Sequence, residues 1–327
     1  MRKIVILLAL LSAPYFGHAQ YRWDFGGGVG VSNYLGDIGG KDKTRRDFIY
    51  DLKVQKTRNT ETFFARYKFR PAISFKTSLT HVTIEGDDSL STNPARNQRN
   101  LSFRNNMFEL TETVEYYFYK SSNVSGRPGL RGSRKKVDFR SYLFVGVGLL
   151  YSNPKAELNG SMVALQPLQT EGVKYSRFVP VVPVGLGLSY TINRNHRIGL
   201  EFGWRWTFSD YLDDISTVYV DPATLGSDNA RTLANRNPET WPTVKDPVTG
   251  AETKVKPSSA ANYGYEDFNK NTGKLNKRGD ESNNDNYLSL LVTYSYVLKG
   301  KNKFYKSKYK SLQQRRKVVK RKTRAKF

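Results

Sequence analysis

Ile198-Gly199-Leu200-Glu201-Phe202-Gly203-Trp204-Arg205-Trp206-Thr207-Phe208-Ser209 is the stretch that decides the fold. Its even positions are all large and apolar, and its odd positions are glycine, charged or hydroxyl-bearing. Successive side chains of an extended strand point to opposite faces, so a strand gathers every large apolar group on one side. A helix would scatter both sets around its circumference. The stretch therefore reads as a strand with one greasy face and one small or charged face.

The same alternation recurs along the chain. In the last such segment Leu288, Leu290, Val292, Tyr294, Tyr296 and Leu298 face away from Ser289, Thr293 and Ser295. Val182, Val184, Leu186, Leu188 and Tyr190 oppose Pro183, Gly185, Gly187, Ser189 and Thr191. Leu143, Val145, Val147, Leu149 and Tyr151 oppose Tyr142, Phe144, Gly146 and Gly148. Upstream, Phe108, Leu110, Val114, Tyr116 and Phe118 oppose Glu109, Thr111, Thr113 and Glu115, and Glu112 interrupts the apolar face. Ile73, Phe75 and Leu79 oppose Ser74, Lys76, Ser78 and Thr80. Trp23, Phe25, Val29 and Val31 oppose Asp24, Gly26, Gly28 and Gly30. A weaker segment, Thr62 to Phe69, sets Phe63, Ala65, Tyr67 and Phe69 against Arg66 and Lys68. That makes eight strands. Most have ten or more residues, near the roughly 9–11 that a tilted strand needs to cross a bilayer; strands in soluble domains are nearer roughly 5–6.

The connections give an independent test. Only about Arg70-Pro71 separates the second and third strands, and only Asn193 to Asn195 the sixth and seventh. The connections after strands one, three, five and seven are long, the last running from about Tyr211 to Asn286. Alternating short and long ends are the pattern of barrels with periplasmic turns and extracellular loops. The connection from Lys120 to Phe139, basic and glycine-rich, is long for the turn end. The fold class expected is all-β: an eight-stranded antiparallel transmembrane barrel.

Composition agrees. A mean hydropathy of -0.61 with 38% hydrophobic residues excludes helical spans, whereas a barrel needs apolar groups at only every second strand position. There are 21 Tyr, 18 Phe and 4 Trp, and no Cys, so disulfides, thiolate metal sites and thiol nucleophiles are excluded. Of the three His, His18 lies near the N-terminus, and His81 and His196 lack obvious partners in the sequence. No Ser/His/Asp set emerges, and the chain is read as not an enzyme, with no cofactor or metal. Inside a narrow barrel Glu109, Glu115 and Glu201 are placed to pair with Arg66, Lys68, Lys76 and Arg205, a structural plug more than an ion path.

The ends of the chain differ from its body. Arg2 and Lys3, the apolar run Ile4 to Leu11, and the small residues Gly17 and Ala19 form a signal peptide over residues 1–19. Residues 20–300 are then the outer-membrane barrel, with a long loop at about 212–285, and residues 301–327 a basic tail. From Lys299 to Phe327 there are fourteen Lys or Arg and no acid, more than half of the net +24. Strand parity leaves this tail in the periplasm. Its cations Lys299, Lys301, Lys303, Lys306, Lys308, Lys310, Arg315, Arg316, Lys317, Lys320, Arg321 and Lys322 suit an acidic protein partner, which charge would steer and orient. Anionic outer-membrane lipid is the competing ligand, and export removes most nucleic acid.

Three further motifs carry less. Gly26-Gly27-Gly28-Val29-Gly30 continues as a strand instead of opening a helix, so it is not a phosphate loop. Asp210-Tyr211-Leu212-Asp213-Asp214 offers hard oxygens of the kind Ca²⁺ takes, but without EF-hand spacing it reads first as a turn. Ser216 to Asn284, rich in Asn, Pro, Asp, Thr and Lys, has the composition of a loop or partly disordered segment.

Four stretches in order resemble the PorG-like outer-membrane barrels of Bacteroidetes. They are Ser32-Asn33-Tyr34-Leu35-Gly36-Asp37-Ile38-Gly39, Phe103-Arg104-Asn105-Asn106 to Glu109-Leu110, Glu115-Tyr116-Tyr117-Phe118, and Gly203 to Asp214. The resemblance runs from about residue 22 to 300. It implies a component of the type IX protein secretion system that contacts a periplasmic ring of the PorK and PorN type. The long insertion before the last strand and the basic tail depart from it. The alternative is a stand-alone barrel acting as a small pore or a surface binding protein.

Overall fold

The computed structural model describes residues 23–38, 53–91, 93–122, 138–192, 195–241, 243–245, 252–254 and 276–298. The signal-peptide segment, the tail from Lys299 and most of the connection between Lys120 and Phe139 lie outside the described residues.

Eight antiparallel strands form the wall: β1 (Trp23–Leu35), β2 (Arg58–Arg70), β3 (Ile73–Asp87), β4 (Ser102–Ser122), β5 (Asp138–Tyr151), β6 (Phe178–Ile192), β7 (His196–Thr207) and β8 (Asn286–Val297). Each pairs with its neighbours in sequence, and β1 pairs with β8 from Asp24↔Val297 to Leu35↔Asn286. Pairing of β3 with β4 from Ile73↔Tyr116 to Asp87↔Ser102 completes the ring. Closure leaves no strand edge among the eight. Pro71-Ala72 and the brief connection from Ile192 to His196 are the short joins at one end, and the connections after β1, β3, β5 and β7 leave from the other.

The alternation read from the sequence points as expected in the half of the wall nearest the short turns. Phe63, Leu79, Phe108, Leu110, Val145, Val147, Leu186, Leu200 and Val292 all face outward and are exposed. Arg66, Lys76, Glu109, Glu115 and Glu201 face inward and are buried. No described helix is long and apolar enough to cross a membrane.

Toward the loop end the pattern reverses on β3 and β4. On β3 the inward residues become Val82 and Ile84, with His81 and Glu85 turned outward. On β4 Phe103 and Met107 face in, with Arg104 and Asn106 out. On β4 this flip explains why the sequence reading started at Phe108 when the strand begins at Ser102. On β2, read from Thr62, both faces of Arg58 to Glu61 are polar, so no alternation marks the start at Arg58. Above the flip the strands are the wall of an ordinary core.

That core is closed by the loops. Ile38, Leu101, Leu165, Leu212, Ile215 and Leu233 pack down onto Val82, Ile84, Phe103, Met107, Leu150, Val179 and Val181. Each such side chain contributes about 1.5–3 kcal/mol through burial. The segment expected to be loop or partly disordered is corrected here for its described parts. Residues 216–241 carry a short helix, α1 (Asp228–Ala234), capped by Ser227 Oγ on the Ala230 amide, and bury Tyr219, Leu233 and Ala234. A few apolar side chains, well spaced, suffice because the barrel mouth supplies the other half of the core. The strand Pro154–Leu158 turns through Asn159-Gly160, at φ 51° and 78°, into Ser161–Ala164. Asn-Gly favours such a turn because both residues tolerate positive φ.

Candidate functional site

Two polar constellations stand out, one in the bore and one in the lid. In the bore, Arg66 lies at the centre. Its guanidinium meets Glu115 at 2.8 Å, Asp24 at 3.1 Å and Glu201 at 3.3 Å. Lys76 Nζ reaches Glu201 at 2.6 Å and Glu115 at 3.8 Å. Tyr142 donates to Glu201 and Tyr117 to Glu115, each at 2.6 Å. Nearer the lid, Arg205 lies 3.5 Å from Glu109 as an ion pair, and Glu109 accepts from the Tyr287 hydroxyl. Six of the seven charges singled out from the sequence are thus paired with one another.

Lys68, the seventh, lines the turn-end mouth with Asp24, Arg66, Tyr117, Arg140 and Arg197. Two members of the network were missed by sequence reading. Asp24 receives both Arg66 and Arg197, the latter at 2.5 Å. Both occupy inward positions between apolar ones, which is the signal that would have found them. The bore is filled by these side chains: Arg66, Lys76, Glu115 and Glu201 are all at most 5% exposed. Glycine makes room for the rings among them. A Cβ on Gly187 would fall 2.1 Å from the Tyr142 ring, so any other residue there would displace the tyrosine.

The lid holds the second constellation, built largely from the stretches that carry the family resemblance. Ser32 Oγ donates to Thr83 O at 2.5 Å, and Asn33 Nδ2 to Lys53 O at 2.8 Å. Asn105 Nδ2 donates to Ser152 Oγ and to Leu212 O, both at 2.8 Å. The Tyr34 hydroxyl lies 2.5 Å from Asp213 Oδ2 and 2.7 Å from Asp285 Oδ1, and it accepts the Asp37 amide at 2.9 Å. A phenol carries one hydrogen, so its second short carboxyl contact requires a proton on an aspartic acid.

Burial and electrostatics agree with that count. Burial, reinforced by Asp285, pushes the Asp213 carboxyl well above the usual carboxylate range, and burial with Asp210 does the same to Asp285. Burial and the charge of Asp213 push Asp210 up to about 9. Asp214 rises to about 6 through burial, opposed by Arg278. Around them Arg278 pairs with Glu171 at 2.9 Å, and Arg99 with Asp88 at 2.7 Å.

The Asp210 to Asp214 stretch is therefore a buried turn. Asp213 faces Tyr34, whereas Asp214 accepts from Thr170 at 2.5 Å and Tyr175 at 2.6 Å. Among the described residues no group of three or more His, Asp or Glu is disposed to hold a metal ion. The two histidines do have partners, contrary to the sequence reading. His81 Nδ1 lies 2.7 Å from Glu61 on the neighbouring strand, and His196 Nδ1 2.7 Å from the Tyr294 hydroxyl. Both pairs join adjacent strands on the outer wall, a proximity that register reveals and linear spacing does not.

A family model described as a domain of unknown function, DUF6089, matches residues 2–225. No curated protein matches the chain. Among solved structures it is similar to the N-terminal β-barrel domain of Pseudomonas aeruginosa OprF, at 8% identity over 86% of this chain and 100% of that one, with a TM-score of 0.32. It is also similar to Neisserial surface protein A, at 7% identity over 84% and 96%, TM-score 0.35. The attachment invasion locus protein Ail of Yersinia pestis matches at 9% identity over 86% and 100%, TM-score 0.31.

Proposed function

We propose a role for this chain on the premise that it belongs to the DUF6089 family of domains of unknown function: it is a non-catalytic outer-membrane barrel that anchors a larger assembly. The observation that carries this reading is the combination of an apolar outer belt with a bore filled by paired charges. A closed barrel is one of the two structures that satisfy every backbone group in lipid. A bore occupied by an ion-paired plug does not conduct, so the useful surfaces are the two ends and the outer wall.

The finer reading follows the resemblance to PorG-like barrels. The barrel serves the type IX secretion system and meets a PorK and PorN type ring through the basic tail from Lys299 onward. Charge complementarity with an acidic periplasmic protein would speed and orient that contact. The test is deletion of residues 301–327 with measurement of ring co-purification. Loss of the ring proteins is expected, and unchanged recovery discards the reading.

A second reading, a stand-alone surface binding protein, is favoured by the folded lid at the loop end. Deletion of the whole chain separates the two. Loss of type IX cargo secretion supports the anchor, and intact secretion with loss of surface binding supports the alternative.

A further inference from the structure

The outer belt has one polar flaw. Among the described residues, the outward positions in the middle of the lower wall are apolar or glycine except at Thr77 and Glu112, with His196 at its turn-end rim. These two stand opposite each other in register, and Thr77 Oγ1 donates to Glu112 Oε2 at 2.5 Å. On β4 the outward apolar residues run from Phe108 to Phe118, so Glu112 lies near the middle of the belt, with neither edge close. The inward neighbours Thr111 and Thr113 are buried, which fixes Glu112 on the outer face.

An acid facing hydrocarbon at that depth is costly, and ionisable groups inside membranes face a partner or a wet cavity. A carboxylate offers about four acceptor directions, and among the described residues only the Thr77 hydroxyl reaches this one. Val114, Val145 and Val147 surround it, with Val147 62% exposed.

We propose that this β3–β5 face is where the barrel pairs with a second copy of itself in the bilayer, Glu112 meeting Glu112 near the twofold axis. The proposal rests on the bilayer-spanning reading. A partner must bring a hydrogen-bonding group to the same depth within an otherwise apolar surface. Two copies inserted in the same direction and related by a twofold axis along the membrane normal do so automatically, because an isologous contact presents one patch to itself. The patch is also self-complementary. Two carboxyls in contact share one proton, so one donates to the other, while each copy's Thr77 keeps its single hydrogen on its own Glu112. The flanking valines bury one another.

The absence of cysteine makes the test direct. Val147→Cys and, as a control on the far side of the ring, Val292→Cys are reconstituted in lipid bilayers and treated with a short bis-maleimide. The dimer yield from Val147→Cys should exceed that of the control about tenfold, the ratio that ~1.4 kcal/mol supports. Adding Glu112→Leu should bring it down to the control level, and Glu112→Gln should retain much of it. Equal yields at the two cysteines, or a yield indifferent to Glu112→Leu, overturns the proposal. So does a product with a different protein in native membranes and no dimer in the reconstituted bilayer. Strand-rich circular dichroism and heat-shifted gel migration of each variant separate this failure from failure of the barrel itself, and leucine in the belt is no obstacle to folding.

Discussion

Below the level of Phe108 the wall turns its apolar residues outward and its charges inward; above it, from Met107 to Phe103, the same strand does the reverse. The backbone does not change across that level, since the ladder of β3 and β4 continues without a shift. On the bilayer-spanning reading, what changes is the surroundings. Where lipid is the solvent, burial of charge falls to the bore, which must supply every counter-ion itself. Where water is the solvent, the bore holds a hydrophobic core and the loops complete it. The outer pair Glu61–His81 sits near the boundary, where outward polar groups resume. A strand can serve both regimes because its inward and outward positions keep one parity while the apolar residues move from the outward set to the inward one.

The largest expected effect tests the lower regime. Arg66→Met takes the shared cation from Asp24, Glu115 and Glu201, leaving Asp24 to Arg197 and both glutamates to Lys76. Removal of one partner from a buried ion pair costs about 3–5 kcal/mol. Urea unfolding of vesicle-reconstituted protein measures it, and a loss below about 1 kcal/mol would mean that water, not the side-chain network, fills the bore. A matched pair then probes the boundary itself. Leu110→Arg and Asn106→Arg put the same charge on the same face of β4, four residues apart. The first should cost about 2–4 kcal/mol, the range for arginine facing mid-bilayer lipid, and the second less than about 0.5 kcal/mol. Equal costs would erase the distinction between the halves.

The smallest effect belongs to the lid. Asp213, Asp285 and Asp210 are held above the usual carboxylate range, the last at about 9. A group whose folded pKa is raised contributes stability that is complete below its unfolded value, about 4 for an aspartate, and is lost as pH rises through the folded value. The lid should therefore loosen between about pH 4 and 9. Amide exchange over residues 210–216, corrected for intrinsic rates, should be severalfold less protected at the alkaline end, and Asp213→Asn should remove part of the dependence. Equal protection at both ends of the range would show that these acids are not protonated in the folded lid.

Much of this architecture was legible in the sequence, and the illegible parts share a cause. Ile198 to Phe208 keeps one parity throughout, so β7 was plain from its residues alone. On β3 and β4 the apolar residues change parity midway, and the alternation cancels when read across the flip; only the lower portions were recognised. The paired charges of the bore were visible as inward positions on lower strands. Asp24 and Arg197 met the same criterion and were overlooked amid glycines and a turn. The lid was harder, because its contacts span the chain. Tyr34 to Asp285 joins residues 251 positions apart, and no local pattern announces such a bond. The four family-like stretches contained many of its residues, without the geometry that explains them.

The wall has a seam. Its first and last strands lie side by side, and Leu298 N donates to Trp23 O at 2.9 Å across the join. A chain made from one end to the other therefore carries an unfinished gap until the final strand arrives, and everything upstream must wait with two unzipped margins. In hydrocarbon each bare amide or carbonyl along such a margin costs several kcal/mol. Completion of the cylinder is thus deferred to the final dozen residues of the sheet, and the Lys- and Arg-rich extension is attached at the very point where the last stitch is made.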